Sequence, residues 1–415
     1  MTVWLAFLRA NARLLSFGFT FNLWLALGQT YFLSLFNGDF QAALGLNHGE
    51  MATLFGAAMI VGSLGIAPAG RLLDTLDLRV FVAGVLLLSA ASFALLATAT
   101  SVPVFFVALV GVRLLPGAVM MLCTMATMAR YFEATRGRAA AVANMGFTAG
   151  YAVFPFIVTS LLNWVGWRMA WGLFAVAFVV VVLPLTMWQL RGHGERHRKY
   201  LAHLEAIGAT KSSDARQHFS LAQVLRDGRF YMIIPGLLVV PCILFTFQYH
   251  QLTLVEEKHW DLHTFAALYL LFAATSFIGN IVAGILVDRW GSRALTEIYL
   301  WPMVPALALV AWAQGNWAIP FYMIFTAMTF GLNLVTGITV WSELYGTRHI
   351  GAIRGFNAML NNFVASLGMV VFGIFIDRGV TLATQAIYSM VLVIAAALLL
   401  HKVGRRLPRK GHRAG

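Results

Sequence analysis

The chain alternates long runs of hydrophobic residues with short polar segments. Six runs, each about long enough to cross a bilayer, precede a longer polar segment, and six more follow it. Spans 1 to 6 are predicted at residues 15–37, 51–70, 80–99, 102–126, 139–162 and 168–190, and spans 7 to 12 at 229–251, 264–287, 295–314, 318–342, 352–376 and 382–401. The pattern therefore predicts an all-α membrane protein in two halves, 1–190 and 229–402, with a basic linker at 191–228 and a basic tail at 403–415.

The composition supports the membrane assignment. Of the 415 residues, 60% are hydrophobic and only 11% are charged, whereas soluble domains carry about 25% charged residues. One buried core cannot absorb this excess, so the protein surface must be apolar and covered by the lipid bilayer. A cytosolic enzyme, a secreted disulfide scaffold and a disordered chain are excluded.

The formal net charge of +13 is explained by topology. Lys and Arg fall on alternate loops, and all but four of the 29 (Arg113, Arg168, Lys258 and Arg378) lie on one predicted side. The positive-inside rule places that side, with both termini and the linker, in the cytoplasm. The basic residues are expected to attract anionic lipid rather than nucleic acid, and the short loops favour a bacterial inner membrane.

The two halves contain related loops. After span 2 and again after span 8, 214 positions later, the same residue types recur: Gly70, Asp74 and Arg79 correspond to Gly284, Asp288 and Arg293. After spans 4 and 10, Glu133 and Arg136 are echoed by Glu343 and Arg348, and each loop precedes a span that contains an asparagine, Asn144 or Asn357. Parallel repeats of six spans predict a transporter with a midplane site between its halves.

These loops carry a family resemblance. The segment Gly284-x-x-x-Asp288-Arg289-x-Gly291-x-Arg293 matches the signature of the major facilitator superfamily, which the chain resembles over its whole length. The resemblance implies twelve helices in two pseudo-symmetric six-helix bundles, and a monomer. The pattern from Tyr131 to Gly146 is weakly similar to monocarboxylate and oxalate/formate porters. Leu109-x-x-x-Arg113-x-x-x-Gly117 resembles a motif of proton-coupled drug exporters.

Arg113 is the sharpest candidate for a binding residue, because it lies about ten residues into span 4. Its guanidinium matches the fork of a carboxylate; the alternative is a structural arginine that bonds carbonyls or polar groups of span 1. Pro116 predicts a distortion close by. In the family, spans 1, 4, 7 and 10 line the cavity. The further candidates for substrate binding are Asn22, Gln29, Tyr31, Gln248, Tyr249, Asn333 and Asn361, and interhelical hydrogen bonding is the alternative for each.

The sequence indicates residues for proton coupling and for gating less clearly than it indicates Arg113 for substrate binding. No carboxylate lies in mid-span, so the candidates for coupling are His250 and Glu343. Loop charges are expected to form ion pairs that close the inner gate, with plain positive-inside charge as the alternative. The gating set is Asp74, Arg79, Glu133, Arg136, Arg138, Gly284, Asp288, Arg289, Gly291, Arg293 and Arg348.

The chain contains no nucleotide-binding loop, metal-ligand cluster or catalytic triad. We therefore expect neither an enzyme nor a cofactor. The leading hypothesis is a secondary transporter that works by alternating access on a small organic anion such as a monocarboxylate, by proton symport or anion exchange. The alternatives are a proton-coupled exporter of drugs or amphipathic metabolites and, more remotely, a non-transporting receptor with the same fold.

Overall fold

The structure, a computed structural model, describes residue 9 and residues 11–132, 135–194, 219–345 and 350–404. Every regular element in these ranges is a helix. Ten helical stretches are long and apolar enough to cross a membrane. One of them, Arg138–Gln189, contains both span 5 and span 6. Span 1 is divided into pieces too short to qualify alone, so the twelve predicted spans are all helical.

The helices of spans 1 to 6 have several internal breaks. Span 1 comprises Ala12–Trp24, Leu25–Gly28, Thr30–Leu33, Ser34–Phe36 and Asn37–Leu44; span 2 comprises His48–Leu64 and Ile66–Thr75; span 3 is Leu78–Thr98; span 4 comprises Val102–Leu114, Leu115–Val119 and Met120–Tyr131; spans 5 and 6 are Arg136–Ala177, Phe178–Val182 and Leu183–Gln189. The long helix Arg136–Ala177 turns at Gly166, where φ is 72°. Only glycine adopts this φ readily, so Gly166 separates span 5 from span 6.

The helices of spans 7 to 12 are more continuous. A short helix, Leu221–Val224, precedes span 7, which comprises Gly228–Tyr249 and Gln251–Glu257; span 8 comprises Leu262–Ala267 and Tyr269–Trp290; span 9 comprises Ser292–Ile298 and Met303–Trp312; span 10 is Ala318–Tyr345; span 11 is Ile350–Asp377; and span 12 is Leu382–Gly404. Most of the predicted linker, and the tail from residue 405, lie outside the described residues.

The chain divides into two compact units. Unit 1 is Met1–Leu44 with Ala58–Asp214, and unit 2 is Gly45–Ala57 with Ala215–Gly415. The helix His48–Leu64 therefore gives its first residues to unit 2 and its remainder to unit 1. In unit 1, Trp171 is fully buried, and its ring contacts Phe36 and Phe93 at centroid distances of 5.1 and 5.3 Å.

The outer surfaces of the spans are apolar, as the composition requires. Leu88, Val107 and Leu270 are 58%, 61% and 64% exposed. Soluble monomers rarely expose large contiguous apolar patches, and lipid is the environment in which such a surface is stable. The chain therefore has the multi-pass membrane architecture that its hydropathy pattern predicts.

Candidate functional site

Span 1 is interrupted at Gly28 and Gln29. The 3₁₀ segment Leu25–Gly28 ends there, Gln29 is extended with φ −86° and ψ 153°, and a new helix begins at Thr30. The Gln29 side-chain amide donates a hydrogen bond of 2.9 Å to the carbonyl of Gly117 in span 4. Backbone and amide groups inside a membrane need such partners, because little water is present to satisfy them.

Span 4 is distorted beside this interruption. Residues Leu115–Val119 form a π-helical turn that includes Pro116, which has no N–H to donate. The predicted distortion at Pro116 is therefore present. A Cβ on Gly28 would lie 2.5 Å from the Cα of Gly117. The two backbones thus touch, and the crossing leaves no room for a side chain at residue 28.

Arg113 joins the two distorted segments. Its Nη1 donates to the carbonyl of Gly28 at 2.6 Å and lies 3.5 Å from Oγ1 of Thr30. The first contact sets a cation at the end of a helical segment, where carbonyl oxygens carry partial negative charge. These are the bonds to span 1 that the structural alternative requires. Both contacts involve Nη1 of the Arg113 side chain, which is half-buried.

Tyr31 lies just beyond the interruption and stacks on span 5. Its ring is 3.7 Å from that of Tyr151, at an interplanar angle of 21°, and Phe147 meets Tyr151 edge-on at 5.1 Å. Tyr31 is 0% exposed and Tyr151 is 4% exposed. Tyr151, which follows Gly150 in span 5, is not among the site residues predicted from the sequence. Tyr31 thus helps to form the wall of the site rather than an open face.

Asn22 links span 1 to span 5 within unit 1. Its Nδ2 donates to the carbonyl of Ala143 in span 5 at 3.0 Å, and the side chain is 0% exposed. Its Oδ1 is buried without a hydrogen-bond partner among the described residues. Of the four polar candidates in unit 1, Arg113, Gln29 and Tyr31 therefore cluster at the interruption of span 1, and Asn22 does not.

Gln248, Tyr249 and His250 lie where the first helix of span 7 ends, and all three are buried. The ring of Tyr249 contacts Phe55 at 4.7 Å, and Nε2 of His250 is 3.0 Å from the carbonyl of Met369 in span 11. His250 is therefore held between two spans of unit 2. In this geometry its Nε2 acts as the donor, because a carbonyl oxygen only accepts.

Unit 2 also contains a row of asparagines. Asn333 is half-buried in span 10, while Asn357 and Asn361 lie one turn apart, on one face of span 11. The Oδ1 atoms of Asn357 and Asn361 are buried without a hydrogen-bond partner among the described residues. Most buried polar atoms are hydrogen-bonded, so this face has capacity for a polar ligand. Asn357 is signalled in the sequence only as the counterpart of Asn144.

The loop between spans 8 and 9 is held by Gly291 and Glu343. Gly291 has φ 79° and ends span 8. Glu343 accepts hydrogen bonds from the Ser292 backbone N–H, at 3.2 and 3.1 Å to its two oxygens, and from the Ser292 hydroxyl at 2.6 Å. Its carboxylate thus satisfies orphan donors at the start of span 9. This contact gives Glu343 a structural role in the loop.

The other predicted gating residues form fewer contacts. Arg293 pairs with Glu297 at 3.0 Å within its own helix, and the Nε of Arg79 donates to the Leu190 carbonyl at 3.2 Å. Arg138 and Arg289 are exposed, and Gly284 has open space around it. The remaining gating residues, or their side chains, lie outside what the structure describes: Asp74, Glu133, Arg136, Asp288 and Arg348. Ion pairs across the inner gate stay a prediction.

The substitution Glu343→Gln distinguishes two roles for Glu343, capping of the helix that begins at Ser292 and proton coupling. Glutamine keeps an acceptor for the Ser292 hydroxyl, so we expect a loss of about 1 kcal/mol in the free energy of unfolding and an unchanged pH profile of transport. The measurements are thermal unfolding and uptake across pH, with the exposed Glu256 changed to Gln as the matched control. A pH profile that flattens in Glu343→Gln alone would assign Glu343 to coupling.

Comparison with known proteins identifies the family. The model for the Major Facilitator Superfamily matches residues 12–369 and 249–414. The chain is 23% identical over 321 residues to the uncharacterized MFS-type transporter YcxA of Bacillus subtilis (strain 168), with 74% of each protein covered. It is 24% identical to the uncharacterized MFS-type transporter YhjX of Escherichia coli (strain K12), covering 84% of this chain and 81% of the relative.

Solved structures agree on the fold. The nucleoside transporter NupG superposes with a TM-score of 0.68 at 15% identity, covering 96% of this chain and 99% of that one. A bacterial homolog of the human lysosomal transporter Spinster gives 0.66 at 12% identity, with 95% and 97% covered. The chain belongs to the major facilitator superfamily. It is a multi-pass membrane transporter for a small molecule and not an enzyme, which confirms those predictions from the sequence.

Proposed function

We propose that the protein is a secondary transporter working by alternating access, and that Arg113 binds the carboxylate of a small organic anion. The observation that carries this proposal is the position of Arg113 at the interruption of span 1, bonded through Nη1 to Gly28. Interrupted helices at membrane depth are where transporters of several folds bind substrates and ions. In this site a cation, a freed backbone and a side-chain amide converge.

The electrostatic argument favours an anion. A charged residue in mid-membrane costs roughly 2.5–3.5 kcal/mol of insertion free energy. This cost favours a functional role for the positive charge of Arg113. Asp and Glu are absent from residues 78–132 and 138–190, which include spans 3 to 6. A carboxylate binds a guanidinium through two parallel hydrogen bonds, which fix its orientation as well as its charge.

Unit 2 by itself contains a second polar face in this proposal, on spans 10 and 11. Asn357 and Asn361 present buried Oδ1 acceptors, and Asn333 lies half-buried on span 10. Amide oxygens of this kind accept hydrogen bonds from hydroxyl or N–H groups, which a polar substrate would carry. We further propose a monomer in the inner membrane with both termini cytoplasmic, as the distribution of Lys and Arg predicts, and anion exchange or co-binding of a proton as the coupling mode.

The runner-up is a proton-coupled exporter of amphipathic compounds. The Arg113–Gly28 hydrogen bond is also consistent with this function, because an arginine whose only role is to link span 4 to span 1 would form the same bond. The segment Leu109 to Gly117 also resembles an exporter motif. In that case the transported compound would be neutral or cationic.

A ligand screen on the purified protein discriminates the two functions. Carboxylates would be tested beside their neutral amides and amines of matched size, by thermal unfolding. A ligand that binds only the folded protein at 100 times its Kd adds about 2.7 kcal/mol of stability, which is a shift of several degrees. We expect carboxylates alone to raise the melting temperature. Equal stabilisation by neutral or cationic amphiphiles would contradict the anion proposal and favour the exporter.

A further inference from the structure

We propose that a groove between spans 9 and 10 binds one acyl chain of a membrane phospholipid. The groove lies within unit 2, is open on one side and has a volume of about 590 Å³. It is lined by the apolar and aromatic side chains of Pro305, Ala308, Trp312, Trp317, Phe321 and Phe325. Both spans that form it, Ser292–Trp312 and Ala318–Tyr345, are long and apolar enough to cross a membrane.

The shape of the groove comes from small residues beside large exposed ones. Trp312, Trp317 and Phe321 are 61%, 60% and 49% exposed, and the Trp317 and Phe321 rings meet edge-on at 6.3 Å. The small side chain of Ala308 leaves space between these aromatic groups. A flexible chain would fill that space and contact the apolar lining along its length, whereas a void there forfeits the dispersion contacts of the lining atoms.

The length of the groove matches one leaflet. From Trp317, the residue before span 10, to Phe325 within it, eight residues rise about 12 Å. Half of the hydrocarbon core is about 15 Å thick. The groove therefore extends from the loop between spans 9 and 10 through most of one leaflet, as an acyl chain does.

The loop between spans 9 and 10 carries side chains that suit the polar end of a phospholipid. Trp312 and Trp317 stand where the two spans end, and tryptophan is enriched at the level of the headgroups. An indole carries one N–H donor on an apolar body, which suits the ester carbonyls at the top of an acyl chain. The lining contains no charged side chain, so the chain rather than the headgroup charge carries the recognition.

Photo-crosslinking in proteoliposomes tests the proposal. The full-length protein is reconstituted in phosphatidylethanolamine and phosphatidylglycerol with a phospholipid that carries a diazirine on its acyl chain, and the labelled residues are mapped by mass spectrometry. We expect residues 305–325 to be labelled several-fold more per exposed apolar residue than span 8, where Leu270, Phe277 and Ile278 are 64%, 46% and 55% exposed.

Two matched substitutions localise the effect. Ala308→Phe fills the groove and is expected to remove the excess labelling. Ala274→Phe adds the same group to an exposed position of span 8 and is expected to leave the excess in place. Equal labelling of both surfaces in the wild-type protein would overturn the proposal and show only annular lipid. The proposal would also be overturned if folded Ala308→Phe protein still showed excess labelling of residues 305–325.

Discussion

Replacing Arg113 by glutamine is expected to abolish stabilisation of the protein by carboxylate ligands. Truncating one partner of a buried, hydrogen-bonded charge pair typically costs 2–5 kcal/mol, so we expect affinity for the anion to fall at least about 30-fold. Arg113→Lys keeps the charge without the planar fork and should retain part of the affinity. The measurement is the ligand-induced shift in melting temperature, followed by uptake with the same compounds.

Arg130→Gln is the matched control for this result. Arg130 lies in the same span and also donates to a backbone carbonyl, that of Leu73, at 3.3 Å. Its loss should lower stability somewhat without altering the carboxylate-induced shift. If Arg113→Gln unfolds more easily but still responds to carboxylates as the wild type does, the residue only ties span 4 to Gly28, and the anion site lies elsewhere.

Replacing Gly146 by alanine is expected to destabilise unit 1 strongly. A Cβ at this position would overlap the carbonyl oxygen of Phe19 and lie 2.8 Å from its carbonyl carbon. Both are backbone atoms of span 1 and cannot rotate away, so spans 1 and 5 must separate. Overpacking of this kind costs about 1–3 kcal/mol and occasionally more. Thermal unfolding in detergent should show a melting temperature several degrees lower.

The same substitution at Gly84 should have no such effect. Gly84 lies inside the helix Leu78–Thr98, and a Cβ there would meet nothing within 4 Å. Alanine at a helix interior is favoured over glycine by roughly 0.5–1 kcal/mol, so Gly84→Ala should be as stable as the wild type or slightly more stable. Equal melting temperatures for Gly146→Ala and Gly84→Ala would show that the helices adjust without cost.

The carboxylates of unit 2 show what sequence analysis could not find. Asp377 accepts from the backbone N–H groups of His48 and Gly49 at 3.0 and 2.7 Å, and Glu257 accepts from those of Leu382 and Ala383 at 2.6 and 2.9 Å. With Glu343 at Ser292, they satisfy the orphan donors at helix N-termini. Asp377 is 329 residues from His48 in sequence, so no local sequence pattern predicts this contact.

The sequence by itself determined the family, the helical class and the positions of the spans. The reason is that the bilayer imposes a local requirement: each spanning segment must be apolar and must satisfy its own backbone hydrogen bonds. Each span can therefore be recognised from its own sequence, without knowledge of its neighbours in the fold. Even Pro116 and Gly166 act on their own neighbours along the chain, so the distortion at Pro116 was predictable.

Only the tertiary structure decided what the polar residues of the spans contact. Arg113 and Gly28 are 85 residues apart in sequence, and Asn22 and Ala143 are 121 apart. Whether a polar side chain packs helices or faces a substrate depends on which span crosses it and at what depth, and both interpretations have the same local sequence. The structure bonds Asn22 to span 5 and brings Arg113, Gln29 and Tyr31 together at the interruption of span 1.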